Sequence, residues 1–340
     1  MEPMTFNPAH RLAVAPMMDW TDRHCRVFHR LLAPGAMLYS EMVTAEAIIH
    51  GRRDMLLGGH HADGSDAAVT LQLGGSDPAR LAEAVRLAAP YHYAEYNLNV
   101  GCPSDRVQSG RFGACLMAEP GLVRDCLMAM QDAADGAPVT VKCRIGIDEM
   151  DPEAGLDAFI ETITESGIGH VIIHARKAWL KGLSPKENRE IPPLDYDRVV
   201  RLAARFPGLA VSINGGITAV DQAVDFAARF DGVMVGRAAY QQPFSLGLMA
   251  AAIQQHDPAD RFAVARAMAD YADAETRKGT RLIAISRHML GLMAGLPGAR
   301  AWRRSLSEDA RTAEAATAGD MIRRATDRIE TEIAARKVAA

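Results

Sequence analysis

No stretch of these 340 residues runs for 18 or more apolar positions, so nothing in the sequence is long enough to cross a bilayer as a helix. The start, MEPMTFNPAHR, lacks the basic-then-apolar pattern of a signal peptide, and a cytoplasmic location is expected. Cysteine is scarce. Cys25, Cys102, Cys115, Cys126 and Cys143 are odd in number, contain no C-x-x-C pair and have no histidines at zinc-finger spacing, so neither a disulfide framework nor a metal site is expected. A net charge of -4 argues against a general polyanion binder. One stretch, however, lacks acids altogether: residues 276–307 carry Arg277, Lys278, Arg281, Arg287, Arg300, Arg303 and Arg304 with no Asp or Glu. That is a local basic patch on an otherwise acidic chain.

What is present is a regular alternation. Eight short apolar runs rich in β-branched residues begin at Arg11 (RLAVAPMMD), Met37, Ala68, Ala94, Pro138, His170, Leu209 and Gly232. Between them lie amphipathic stretches such as DPARLAEAVRLAAP, with Asp or Ser/Thr near their starts and glycine near their ends. Strands apolar on both faces and separated by helices form a parallel sheet, and eight is the number that closes a TIM (β/α)8 barrel; an open doubly wound sheet is the alternative. After QQPFSLG the strands stop. The expected division is a catalytic barrel over residues 1–250 and a small all-helical domain over 251–340.

In a TIM barrel the reacting groups stand at the C-terminal ends of the strands. The polar residues there are Asp19, Glu41, Gln72, Asn97, Asn99, Cys102, Lys142, Arg144, His174, Arg176, Asn214 and Arg237, and all are expected to face one mouth. Asn214, Gly215 and Gly216 after strand seven, with Gly236 and Arg237 after strand eight, occupy the two loops that commonly cradle a phosphate in this fold; simple turns are the other reading. Lys142, in a strand of Val and Cys, must reach the mouth or meet an acid, for which Glu41 and Asp19 are the candidates. Beside a flavin it could hold the negative charge of the reduced ring, with Gln72 on the ring edge. His174 is either a hydrogen-bonded core residue or a member of the same site. Cys25, Cys126 and Cys143 read as small buried hydrophobes. Cys102 differs, because in NVGCP it sits on a loop between a glycine and a proline, where a thiol can donate a proton without acting as nucleophile. The roles of Asp19, Glu41 and the loop from Gly51 to Gly59 stay open.

The segments APMMDWTDRHCR, LQLGG, NLNVGCPSDRVQSGRFGACLM, VKCRIGID, HARKAWLKGLSPKENREIPPL, NGGI, GVMVGRAAYQQP and GARAWRR together resemble the tRNA-dihydrouridine synthases, over nearly the whole chain. The sixth-strand loop and PGARAWRR resemble the A branch, which reduces uridines 20 and 20a in the tRNA D-loop. The resemblance implies an FMN enzyme using NADPH, with hydride passing from flavin N5 to C6 of a flipped-out uracil and Cys102 protonating C5. It further implies that Pro16, Met17 and Met18 contact the ring, that Gln72 and Lys142 hold its polar edge, that His174 helps fix it, and that Asn214, Gly215, Gly216, Gly236 and Arg237 take its phosphate. Asn99 and Arg176 become candidates for the target base, and Lys186, Arg189, Arg300 and Arg303 for the tRNA. The implied partner is tRNA; separately from the resemblance, a monomer is expected, with no membrane, DNA or metal ion involved.

Overall fold

Eight strands close a ring. In the computed structural model, β1 (Leu12–Val14) pairs in parallel with β2 (Met37–Tyr39) on one side and β8 (Gly232–Val235) on the other. β2 pairs with β3 (Val69–Gly74), and the ladder continues through β4 (Glu95–Val100), β5 (Val139–Arg144), β6 (His170–His174) and β7 (Ala210–Asn214) back to β8. Every pairing is parallel, as a TIM barrel requires. A ninth, two-residue strand, Val43–Thr44, lies against Leu73 and Gly74 of β3 and was not visible as a separate run in the sequence. The structure describes residues 6–58, 68–314 and 317–339; Gly59, the last residue of the loop from Gly51, lies outside the described residues.

The helices start where the sequence supplies caps. Asp77 accepts from the Arg80 N–H at the head of Pro78–Ala88, and Asp195 accepts from the Arg198 N–H at the head of Tyr196–Arg205. The strands are buried almost throughout, which is why they read as continuous apolar runs.

Alternation inside the ring sorts the interior into two parts. Ala13, Ala15, Met37, Tyr39, Ile172 and Met234 form an apolar cluster. The inward residues of β4 are polar instead: Glu95, Asn97 and Asn99 fall at every second position and so share one face. The buried Glu95 carboxylate accepts from the hydroxyls of Tyr39, Thr70 and Thr140 and is 2.7 Å from His10 Nε2. His10 stacks edge-on against His170, whose Nε2 is 2.8 Å from Ser212 Oγ. His10, Glu95 and His170 are the one group of potential metal ligands among the described residues. Each already has a hydrogen-bond partner within this buried cluster.

Two compact units emerge: Met1–Asp19 with Ala36–Gly236, and Trp20–Gly35 with Arg237–Ala340. Packing thus divides the chain at Gly236 rather than at residue 250, and the helix Arg23–Leu32 belongs to the helical unit although it lies in sequence between β1 and β2. Its Phe28 and Leu32 are fully buried there with Met268, Ile285, Trp302 and Ile322. Asp22 caps this helix and also binds Arg287 and His288, a contact 265 residues away in sequence. Burial would raise the Asp22 pKa, but His288, the Cys25 N–H and Arg287 hold it well below the usual carboxylate range.

Candidate active site

A directed chain of side-chain hydrogen bonds rises from the buried Glu95 to the loop that carries Cys102. Thr140 donates to Glu95, Asn97 Nδ2 to Thr140 (2.9 Å), Gln72 Nε2 to Asn97 Oδ1 (2.8 Å) and Asn99 Nδ2 to Gln72 Oε1 (2.8 Å). The backbone N–H groups of Gly101 and Cys102 then donate to Asn99 Oδ1, at 3.1 and 3.0 Å. Every link points its donor toward the carboxylate, so the bonds polarise one another in the same sense. The chain sets which end of each amide faces which way. It also makes Asn99 the group that holds the Cys102 turn. Gln72 and Asn99 each keep one amide hydrogen outside this chain.

Cys102 itself is half-buried, with Sγ 3.5 Å from Ser104 Oγ. The other thiols have different surroundings. Cys25, Cys126 and Cys143 are fully buried, as the sequence led us to expect, and burial pushes Cys126 and Cys143 up to about 12. Cys115 is half-buried, with Sγ 3.2 Å from Phe112 O.

The neighbouring strand ends are rich in cations. Lys142 is opposite Asn99 in the β4–β5 register and donates to Asn214 Oδ1 at 3.1 Å, while the Asn214 amide group donates to Met234 O. Lys142 makes no ion pair among the described residues, so neither Glu41 nor Asp19 neutralises it; instead the Asp19 N–H donates to Glu41 Oε1. Burial, with the Arg144 charge adding to it, lowers the Lys142 amine to about 8. Arg144, 3 % exposed, is lowered by burial to about 10 and stays charged at neutral pH. His174 is held well below the ordinary histidine value, first by burial and then by the charges of Arg144, Lys142, Arg176 and Arg189. Four cations therefore act on one neutral imidazole.

Beside His174 runs the first glycine turn. A Cβ on Gly215 would lie 2.6 Å from His174 Cδ2, and φ there is +114°. Gly216 also has positive φ, and a Cβ would lie 2.6 Å from Leu194 Cδ1; the Gly215 carbonyl accepts from Tyr196 OH. At Gly236 a Cβ would meet only Ala15, at 3.9 Å, so this backbone borders open space. Backbone that can be approached closely, next to the positive charge of Lys142 and Arg144, suits a bound phosphate group. Pro16 and Met17 follow β1 half-buried, and Met18 is 56 % exposed.

Arg176 donates to the carbonyls of Glu190 and Pro192, and Lys186 and Arg189 are exposed on the same loop. Arg237 opens the short helix Arg237–Gln241 and belongs to the helical unit, as do Arg300 and Arg303. Trp302 lies in that unit's core at 1 % exposure and donates to Met289 O at 3.0 Å. Arg300 and Arg304 line a cleft of about 950 Å³, with Arg328 and Arg336 from the last helix, Ala318–Ala339, opposite them and Asp309 and Glu332 also on its wall. Arg303 is exposed but is not part of that wall. The sequence reading missed Glu95, Arg328 and Arg336; for Glu95 the polar residues at alternate positions of AEYNLNV were the available signal.

The profile of the dihydrouridine synthase (Dus) family matches residues 13–330. The chain belongs to the dihydrouridine synthase family. It is 57 % identical over 300 residues to the tRNA-dihydrouridine(20/20a) synthase of Shewanella oneidensis, covering 88 % of each chain. It is 55 % identical over 311 residues to that of Escherichia coli K12, covering 90 % and 88 %. Over 338 residues, 99 % of this chain and 98 % of the relative, it is 50 % identical to that of Xanthomonas campestris. Among solved structures, the old yellow enzyme homologue of Zymomonas mobilis shares the fold at TM-score 0.50 and 11 % identity, covering 73 % of this chain and 89 % of that one. As a dihydrouridine synthase, the chain is an enzyme whose barrel carries family-matched sequence on all eight strands except Leu12 of β1.

Proposed function

We propose that this dihydrouridine synthase is an FMN-dependent reductase that uses NADPH to saturate the C5=C6 bond of uridines 20 and 20a in the D-loop of tRNA, acting in the cytoplasm as a monomer. The relatives' names, which specify tRNA and positions 20 and 20a, support the substrate. The observation that carries the chemistry is the set of four cations around neutral His174, beside a glycine turn and close to the Cys102 loop. That environment favours an anionic cofactor and steadies negative charge developing on it. When bound, FMN reduced by NADPH supplies the hydride that reaches C6 of the uracil.

The chain's own residues do the rest. Gly215, Gly216 and Gly236 offer backbone to the cofactor phosphate, with Asn214 and Arg237 beside them in sequence. Lys142 places positive charge at the ring's polar edge with Gln72, and Pro16, Met17 and Met18 pack against its face. Cys102 gives its thiol proton to C5 of the uracil and is the residue we assign as catalytic. Asn99 and Arg176 meet the target base through donors not used in the hydrogen-bond chain. The base must leave its stack to enter the mouth. Lys186, Arg189, Arg300 and Arg303 contact tRNA phosphates, and the cleft between Arg300 and Arg328 offers room for one.

The test is Cys102→Ala. This variant should stay yellow and retain tRNA in filter binding but form dihydrouridine at least about 100-fold more slowly by mass mapping. An unimpaired rate would remove the proton donor, and a colourless protein that takes up no FMN would remove the whole reading.

A further inference from the structure

Both peptide carbonyls that flank Cys102 are gripped by side chains that also hold a second loop. On one side Arg144 Nε donates to Gly101 O at 2.9 Å, while its Nη1 donates to Lys177 O (3.0 Å) and Asn188 O (2.9 Å). On the other, Gln108 Nε2 donates to Pro103 O at 2.8 Å and to Leu180 O at 2.9 Å. The second loop, residues 177–188 after β6, is knotted around fully buried Asn188. Its Oδ1 accepts the Trp179 N–H, and its Nδ2 donates to Trp179 O and Leu183 O. This loop runs into Lys186 and Arg189, both exposed.

We propose that Arg144 and Gln108 are a brace that locks the Cys102 turn to the loop after β6, so that the position of the thiol depends on the loop that presents Lys186 and Arg189. The chemistry of the two side chains supports this. A buried guanidinium normally meets a carboxylate; among the described residues Arg144 instead donates to three backbone carbonyls, in two separate segments. A lysine carries the same charge on one nitrogen and cannot span them. Gln108 spends one amide group on two carbonyls 77 residues apart, Pro103 and Leu180, which fixes their separation. Neither residue moves a proton or touches a reacting atom in this arrangement; both are positioning residues. An RNA contact that shifts or steadies the loop after β6 is thereby transmitted to Cys102 through five hydrogen bonds.

The turnover consequence rests on the proposed function, whereas the brace itself does not, so two measurements are paired. Gln108→Glu keeps the shape and removes both donors, and being half-buried it is the variant expected to fold; Arg144→Lys is the second. In the intact protein without tRNA, both variants should speed hydrogen exchange in residues 101–104 and also in 177–188. They should raise the rate of Cys102 alkylation by iodoacetamide by about fivefold or more. With tRNA, kcat should fall about tenfold while KM for tRNA and FMN content stay within about twofold. Exchange that changes only around residue 108, or unchanged alkylation, would overturn the brace. Coupled exchange and faster alkylation in a protein whose wild type makes no dihydrouridine would uphold the brace and reject the function.

Discussion

A side chain at position 215 is strained for two separate reasons. Its φ of +114° is one that L side chains rarely adopt, and an added methyl would press into both His174 and Leu194. If the proposed FMN site is correct, Gly215→Ala should fold but retain less than about a tenth of the wild-type flavin, read from visible absorbance after gel filtration, because the displaced turn would no longer admit the phosphate. Gly236, bordered by open space, carries no such steric demand in the free protein, so Gly236→Ala tests occupancy of the backbone approach rather than the fold. Single residues of this kind were partly legible. NGG and VGR announce turns at the correct strand ends, but the sequence did not reveal that Gly215 leans on His174. Arg144 was legible only as a cation at the mouth, since its partners lie 33 to 44 residues away and are backbone atoms that have no signature.

Among the elements, the strands were the easiest to read, because a barrel strand buried on both faces must be apolar and short. The exception is informative. In β4 the inward face is Glu95, Asn97 and Asn99, and each finds its partner on another strand, 25 to 45 residues away. The alternation was present in the sequence, whereas the pairing depended on register. In the helical unit, the helix Ala299–Ser307 inserts Trp302 between two exposed arginines, with its indole N–H on Met289 O. Trp302→Ala removes the largest fully buried side chain and strands that carbonyl, so urea unfolding of the full chain should show a loss of about 3–5 kcal/mol. Trp302→Phe, which keeps most of the volume, should lose about half as much or less.

Over the whole molecule, charge and protonation depend on which distant residues meet. The acid-free stretch 276–307 is not acid-free in space. Lys278 pairs with Glu275, Arg287 with Asp22 and Arg304 with Glu308, while Arg277 donates to the Asp273 carbonyl. Arg281, Arg300 and Arg303 make no ion pair among the described residues, and Arg300 and Arg304 share a cleft with Arg328 and Arg336, whose helix the sequence did not single out. Protonation follows the same logic. Burial lowers His24 to about 4 and His29 to about 3 in the helical unit, and holds His170 and His174 well below 6.5 in the barrel. These imidazoles are neutral when folded but take up protons near 6.5 when unfolded, so acidification below about 6.5 favours the unfolded chain, increasingly down to about 4. The thermal midpoint should therefore fall by about 5 °C or more between pH 7.5 and 5.5. In His29→Asn the midpoint starts lower and falls less.

The amino-acid order alone determined the number of barrel strands, the mouth at which polar side chains collect and the odd placement of Cys102, because all three follow from local patterns with periods of two and 3.6 residues and from turn chemistry. Tertiary structure alone decided that the helix Arg23–Leu32 joins the helical unit, that a chain of amides connects Glu95 to the Cys102 turn, and that Arg144 and Gln108 grip both of its flanks. The physical reason is one of range. A hydrophobic period is written in neighbouring residues, whereas a buried hydrogen bond is satisfied by whichever group the closed ring brings within 3 Å, and no local pattern encodes that distance.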